Sequence, residues 1–225
     1  MNILQNMTQE ELDGITCLGL DDTFELDCRQ CGKCCHNSTD LYITPYDLFG
    51  IALHLGKTTE EVVEQYCELV YGHTTGFPFI RIKPVPPYNS CPFAAGGKCG
   101  VHENKPVICR AYPLARLTRG DGEIGYFFNG ATCGHESNAI SVRDWLGDAA
   151  SPEAEQAGRL WFEAVEKLTP HIQPELYPSR RVQLKEIGMI FGNIWFGYDT
   201  SLPFLPQFHL NIEWLKGYFR DREQC

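Results

Sequence analysis

A chain of 225 residues with 43% hydrophobic composition can bury a core of its own and does not need a disulfide scaffold in place of one. Nineteen basic against twenty-nine acidic residues leave a formal charge of −10, which disfavours nucleic acid or an anionic membrane as partner. No apolar run is long enough for a membrane span, so no transmembrane helix is expected. A protein partner or substrate stays open, as does the oligomeric state. The N-terminal stretch MNILQNMTQEELDG is polar and acidic and lacks the basic and apolar regions of a signal peptide. The expected compartment is therefore the cytoplasm, where thiols stay reduced and an odd number of cysteines, eleven, argues against a disulfide framework.

In chain order, residues 1–27 read as a leader with an apolar segment at Ile15–Leu20. A cysteine turn over 28–36 then leads into a short extended piece, Leu41-Tyr42-Ile43. Thr44-Pro45-Tyr46-Asp47 has the signature of a helix start, with Thr as cap, Pro in the first position and Asp in the first turn. That helix runs from Pro45 to about Leu55, presents Leu48, Ile51, Ala52 and Leu55 on one face, and ends at Gly56. Thr58 to Glu61 has the spacing of a capping box and opens a second helix, whose apolar stripe is Val62, Val63, Tyr66, Leu69 and Val70. Phe77–Lys83 alternates as a strand, stopped by Pro84, Pro86 and Pro87.

The segment from Cys91 to Cys109 is rich in Gly and Pro, which puts its cysteines on turns, with Cys109 on a single turn of helix after Pro106. Leu114–Thr118 and Ile124–Phe128 read as a hairpin that brings Cys133 back toward the other cysteines. From Ser151 the pattern becomes helical: one long helix to about Leu168, then helices at 178–195 and 208–220. Their expected buried side chains are Trp161, Phe162, Ile187, Ile190, Phe191 and Trp195. No internal repeat or low-complexity segment is present.

The chemistry lies in the cysteines. Cys28, Cys31, Cys34 and Cys35 form C-x2-C-x2-C-C, and Cys91, Cys99, Cys109 and Cys133 follow in loop contexts. Close pairs of thiolates in a turn, completed by distant ones, suit zinc or an iron–sulfur cluster. Gly32 supplies the backbone freedom that a tight ligand turn needs. Cys28, Cys31 and Cys34 are the strongest ligands of the turn, because Cys35 points elsewhere if Cys34 ligates the same ion. Eight thiolates exceed the four that one zinc takes, and the doubled Cys34-Cys35 can serve neighbouring metals. The preferred group is therefore an iron–sulfur cluster of the 4Fe–4S type, with zinc as the alternative.

Arg110, beside Cys109, is placed to lower a thiolate's pKa and partly neutralise an anionic cluster. His36, His102 and His135 flank the cysteines and fit supporting roles better than ligation. Cys67 reads as a core residue on the apolar side of the second helix, while Cys17 and Cys225 have no partner at ligand spacing. No dinucleotide fingerprint, phosphate loop or nucleophile elbow is present, so any catalytic case rests on the metal.

The run FELDCRQCGKCC, then TPYDL, SCPF, KCGVHENKP, CRAYP and a late CG resemble the CxxCxxCC cysteine-cluster family of YkgJ-type proteins. The resemblance covers roughly residues 24–135 and implies a zinc- or iron-chelating domain. By position it supports Cys28, Cys31, Cys34, Cys35, Cys91, Cys99, Cys109 and Cys133 as metal residues. His102 stands where the family usually has tyrosine, and Lys105 where it usually has arginine. One branch of the family resembles flagellin lysine N-methylases, which implies a second reading as an S-adenosylmethionine-dependent enzyme. A structural zinc module for protein contacts is the third.

The expected architecture is α+β. An irregular, cysteine-rich, metal-organised region with short strands spans 1–137, and a helical region, 138–225, packs on it as one integrated domain. The expected role is redox, metal handling or cofactor support.

Overall fold

The structure is a computed structural model that describes residues 14–26, 28, 32–36, 39–72, 75–118, 124–128, 139–172 and 184–223. The fold is α+β, with seven α-helices and nine short strands among the described residues. In chain order the first elements are β1 (Thr23–Glu25), a 3-10 turn (Lys33–Cys35), β2 (Tyr42–Ile43), α1 (Pro45–Leu55) and α2 (Thr59–Tyr66). Then come β3 (Cys67–Tyr71), β4 (Pro78–Ile82), β5 (Ala94–Ala95), β6 (Lys98–Cys99) and α3 (Val107–Ala111). The hairpin β7 (Leu114–Thr118) and β8 (Ile124–Phe128) follows, with β9 (Ala139–Ser141) and α4 (Val142–Leu146) after it. Three long helices finish the chain: α5 (Pro152–Leu168), α6 (Leu184–Trp195) and α7 (Phe204–Glu223).

These elements divide into two compact units whose chain segments interleave. The first comprises Met1–Leu41, Pro84–His102 and Val107–Ser151, and the second Tyr42–Lys83, Glu103–Pro106 and Pro152–Cys225.

The first unit carries the small sheets. β1 pairs antiparallel with β9, β5 with β6, and β7 with β8. Its core is Ala111, Leu114, Tyr126, Val142 and Leu146, bordered by Leu18, Leu20, Phe24 and Trp145. Trp145, partly buried, meets Phe24 edge-on and donates its indole N–H to the Ala111 carbonyl at 3.2 Å, which satisfies its polar atom. Leu18 is stitched to Tyr126 by backbone bonds of 2.6 and 2.9 Å, which lays the segment before β1 along the hairpin.

In the second unit, β2, β4 and β3 form an antiparallel sheet in that order. Both expected helix starts form, for the chemical reason that the sequence carries. Asp47 N–H donates to Thr44 Oγ1 at 3.1 Å, and the Asp47 carboxylate accepts from Thr44 N–H at 2.8 Å, a reciprocal cap. Thr58 and Glu61 repeat the arrangement at the head of α2. Gly56 closes α1 in the left-handed conformation, φ 61°.

The second helix is shorter than its apolar spacing predicts. It ends at Tyr66, and Cys67, Leu69 and Val70 lie on β3 instead, paired in register with Ile82, Ile80 and Phe79. Strand pairing overrides the helical period here, reinforced by Glu68 and Arg81 opposite each other with a 2.8 Å ion pair. Cys67 is nonetheless buried, as expected.

Among the C-terminal helices, α7 begins at Phe204 rather than near 208, because Pro206 sits in its first turn, where a missing N–H costs nothing. Gln207 holds the approach, donating to the carbonyls of Asp199 and Pro203 and accepting from Asp199 N–H. The described part of the expected 178–195 helix is Leu184–Trp195, and 178–183 lie outside the described residues. Ile190 and Trp195 are fully buried, whereas Ile187, Phe191 and Trp161 are partly buried. Phe162 departs from expectation and stands 69% exposed. The inner face of α5 is set by Ala154, Ala157, Ala164 and Leu168; Trp161 falls on that spacing, and Phe162, one residue on, is turned about 100° away from it. Trp161 meets the rings of Phe77, Phe79 and Trp195 edge-on, and Trp195 donates to the Pro78 carbonyl at 3.2 Å.

Two consequences are measurable by chemical denaturation. Removing the reciprocal cap with Thr44→Ala lowers stability by about 1–2 kcal/mol. Trp195→Ala costs about 3–5 kcal/mol, while Phe162→Ser changes stability by no more than about 0.5 kcal/mol, as for an exposed side chain.

Candidate metal centre

Five of the described cysteines gather in the first unit from separate stretches of chain, and local backbone geometry brings each one there. The Lys33–Cys35 turn is closed by Cys35 N–H donating to the Gly32 carbonyl at 2.9 Å. Cys91 docks directly on that turn, its N–H donating to the Cys35 carbonyl at 2.7 Å. From Cys91 the chain turns, with Ala94 N–H to the Cys91 carbonyl at 3.0 Å, into the β5–β6 hairpin, where Cys99 stands opposite Ala94. Gly100 N–H then closes on the Phe93 carbonyl at 2.7 Å. Cys109 sits on α3, and its neighbour Arg110 donates from Nη2 to the His102 carbonyl at 2.8 Å, tying α3 to the chain just after the hairpin.

Two glycines make this approach feasible. Gly32 has φ +73°, and a Cβ there would stand 3.0 Å from the Gly97 carbonyl oxygen. Gly97 itself has φ +77°, with open space where its Cβ would be. The cysteine turn and the hairpin therefore approach closely, and a side chain at position 32 would meet both the left-handed backbone and the Gly97 carbonyl.

The electrostatics record the convergence. The Cys34 thiol donates to Cys35 and holds the Cys35 thiol below its ordinary range, against burial and the nearby charges of Cys91, Cys99 and Cys109. Burial pushes the Cys91 thiol up, opposed by backbone N–H groups of Phe93 and Ala94, while the charges of Cys99 and Cys34 add to the rise. Cys34 and Cys35 lie together on the 3-10 turn, and the charges of neighbouring thiols act on this stretch.

The remaining expected residues fall as follows. Cys28 is exposed. Cys31, Cys133 and His135 lie outside the described residues. His36 Nδ1 shares a 2.9 Å hydrogen bond with Ser90 Oγ, which ties the residue after the cysteine turn to the residue before Cys91. No disulfide joins the described cysteines. Sequence reasoning did not single out Gly97 or the His102 carbonyl as supports; the doubled glycine of AAGGKCG was the signal for the first, and a backbone acceptor leaves no signal for the second.

The donor set is soft in kind: clustered thiols, partly withdrawn from water, with an arginine pinned nearby. That chemistry fits zinc or iron. Among the described residues, no three His, Cys, Asp or Glu side chains are set to hold one ion.

Residues 27–135 match the profile of the CxxCxxCC family, described as a "putative zinc- or iron-chelating domain". The matched stretch contains all eight cysteines expected from the spacing. No curated protein and no solved structure matches the chain. No helix among the described residues is long and apolar enough to cross a membrane.

Gly32→Ala is expected to cost more than Gly97→Ala. Both meet the left-handed penalty of about 1–2 kcal/mol, and only Gly32→Ala adds a collision with backbone. Metal analysis beside thermal unfolding checks this, with metal loss expected for Gly32→Ala alone.

Proposed function

We propose, from the match of residues 27–135 to the CxxCxxCC zinc- or iron-chelating profile, that this chain holds an iron–sulfur cluster on its cysteines and serves in redox, metal handling or cofactor support. The observation that carries the reading is the backbone linkage that draws separate cysteine segments together: Cys91 N–H on the Cys35 carbonyl, and the Cys91–Ala94 turn leading into the hairpin that carries Cys99. Ionising such a gathering is costly without a cation: thiolates repel one another, and burial of Cys91 penalises its charged form. A bound metal removes both penalties, and its binding free energy, on the order of 10 kcal/mol, becomes folding free energy.

Iron–sulfur is favoured over a lone zinc on the number of thiolates. A tetrahedral zinc requires four donors at about 2.3 Å from one centre. A cluster distributes its thiolates over several irons, which suits a chain whose eight motif cysteines exceed the four that one zinc takes. When bound, the cluster supplies one-electron chemistry. The chain's own residues do the rest. Arg110, next to Cys109 in sequence, is held by the His102 carbonyl, and the N–H groups of Phe93 and Ala94 favour the Cys91 thiolate. The Gly32–Gly97 contact keeps turn and hairpin in register.

Anaerobic purification with iron, acid-labile sulfide and zinc analysis, together with a visible spectrum, tests the reading. The expected result is a coloured protein with stoichiometric iron and sulfide. A colourless protein with stoichiometric zinc and no labile sulfide overturns the cluster and leaves a zinc-binding domain. Chelation of the bound metal is expected to lower thermal stability along with metal content, since the site organises its surroundings.

A further inference from the structure

In the three-stranded sheet of the second unit, β3 is an outer strand, with β4 on one side of it. The register shows which way its backbone groups point. Lys83 N–H donates to the Tyr66 carbonyl and Gly72 N–H to the Phe77 carbonyl, each at 2.9 Å, so the even-numbered positions bond toward β4. Pro78, which has no N–H to give, stands opposite Tyr71, an odd-numbered position, as this alternation requires. The N–H and C=O groups of Leu69 and Tyr71 therefore point away from the sheet. No hydrogen bond from another strand or loop among the described residues reaches them. Both side chains stand on the face that carries the buried Ile80 and Ile82, yet Leu69 is 40% and Tyr71 56% exposed. The apolar layer on this face runs out at the β3 edge.

Sheet edges are blunted in proteins by short strands, lysine, proline or a bulge. At the other edge, β2 is only two residues long. β3 has five residues, CELVY, with neither lysine nor proline, and it pairs with β4 residue for residue. Its one charged side chain, Glu68, is already matched by Arg81 across the ladder at 2.8 Å.

We infer that a second copy of this chain docks on this edge, β3 against β3, in antiparallel pairing about a two-fold axis at Val70. Under that symmetry the outward backbone groups of Leu69 exchange hydrogen bonds with those of the other copy's Tyr71, and the reverse. Each Leu69 side chain then lies beside the other copy's Tyr71, extending the apolar face across the joint. Glu68 falls opposite Gly72, so no like charges oppose each other on neighbouring strands. The strand is its own complement in hydrogen bonding, apolarity and charge, which is what a two-fold contact demands and what favours a second copy over a foreign peptide. Each copy carries a formal charge of −10, so the contact forms against a mutual repulsion that salt screens. The pairing is independent of which metal the cysteines hold.

Analytical ultracentrifugation of the full chain, purified anaerobically, tests this. The expected result is a reversible dimer that tightens as salt rises. Leu69→Pro removes an outward N–H and leaves the β3–β4 ladder intact, while Tyr71→Lys puts a charge on the edge. Each is expected to weaken the dimer at least about tenfold with cooperative unfolding retained. Val70→Cys reads the register. Residues facing each other in a pair that shares no hydrogen bonds have Cα atoms about 4.5 Å apart, within the span of a disulfide. Mild oxidation of Val70→Cys is expected to link the two copies at position 70, mapped by mass spectrometry. Glu68→Cys, set opposite Gly72 by the same axis, is expected not to link to itself. A wild type that stays monomeric at about 0.1 mM overturns the second copy as occupant and leaves the edge to another protein's strand or to solvent. A dimer that weakens with salt, or that survives both Leu69→Pro and Tyr71→Lys, is held by another surface and overturns the pairing as well. A Val70→Cys dimer without the link at position 70 overturns the two-fold register.

Discussion

The backbone contact between the cysteine turn and the loop segment after Pro84 is the constraint on which the site depends. Cys91 N–H bonds the Cys35 carbonyl at 2.7 Å, and Gly32 lies against the Gly97 carbonyl. These are main-chain contacts, so they position the thiols without spending the sulfurs themselves. A thiol that anchors the fold by its own side chain is less available to a metal. One anchored by its amide keeps its sulfur for ligation.

The price of that gathering is electrostatic. Burial and the neighbouring thiolates raise the Cys91 thiol's pKa, and neighbouring charges oppose the lowering of the Cys35 thiol by Cys34, so the group resists ionising together. The fold answers with fixed donors: Cys34 toward Cys35, and the Phe93 and Ala94 N–H groups toward Cys91. Fixed donors offset part of a local charge, and a cation offsets the remainder more effectively. The same logic accounts for soft donors set in loops rather than in long regular elements, since loops can aim several side chains at one point.

The second unit follows ordinary rules of packing. Reciprocal caps set the starts of α1 and α2, and a three-stranded sheet supplies a flat apolar face with Ile80 and Ile82 buried. Aromatic edges fill the space around Trp161 and Trp195. Its surface ion pairs, such as Lys167–Glu163 and Lys216–Glu213, are exposed and contribute little beyond solubility.

What the sequence determined by itself was local chemistry. Thr44-Pro45-Tyr46-Asp47 and Thr58 to Glu61 announce helices because a cap is satisfied within four residues. The cysteine spacing announces a soft-metal family because thiolate pairs in turns have few other uses. The α+β class, the β7–β8 hairpin and the helix over 152–168 were legible on the same local grounds. Tertiary structure alone decided what depends on distant partners. Cys67–Tyr71 became a strand because Pro78–Ile82 offers it a ladder. Phe162 faces solvent because alanines set the inner face of its helix. Residues 42–83 joined the C-terminal helices in one compact unit, an interleaving that no composition shift reveals. Cys35 came to lie beside Cys91 because a backbone hydrogen bond across 56 positions holds two turns together. Spacing along a chain specifies which residues can turn toward a point, but only long-range contacts specify where that point lies.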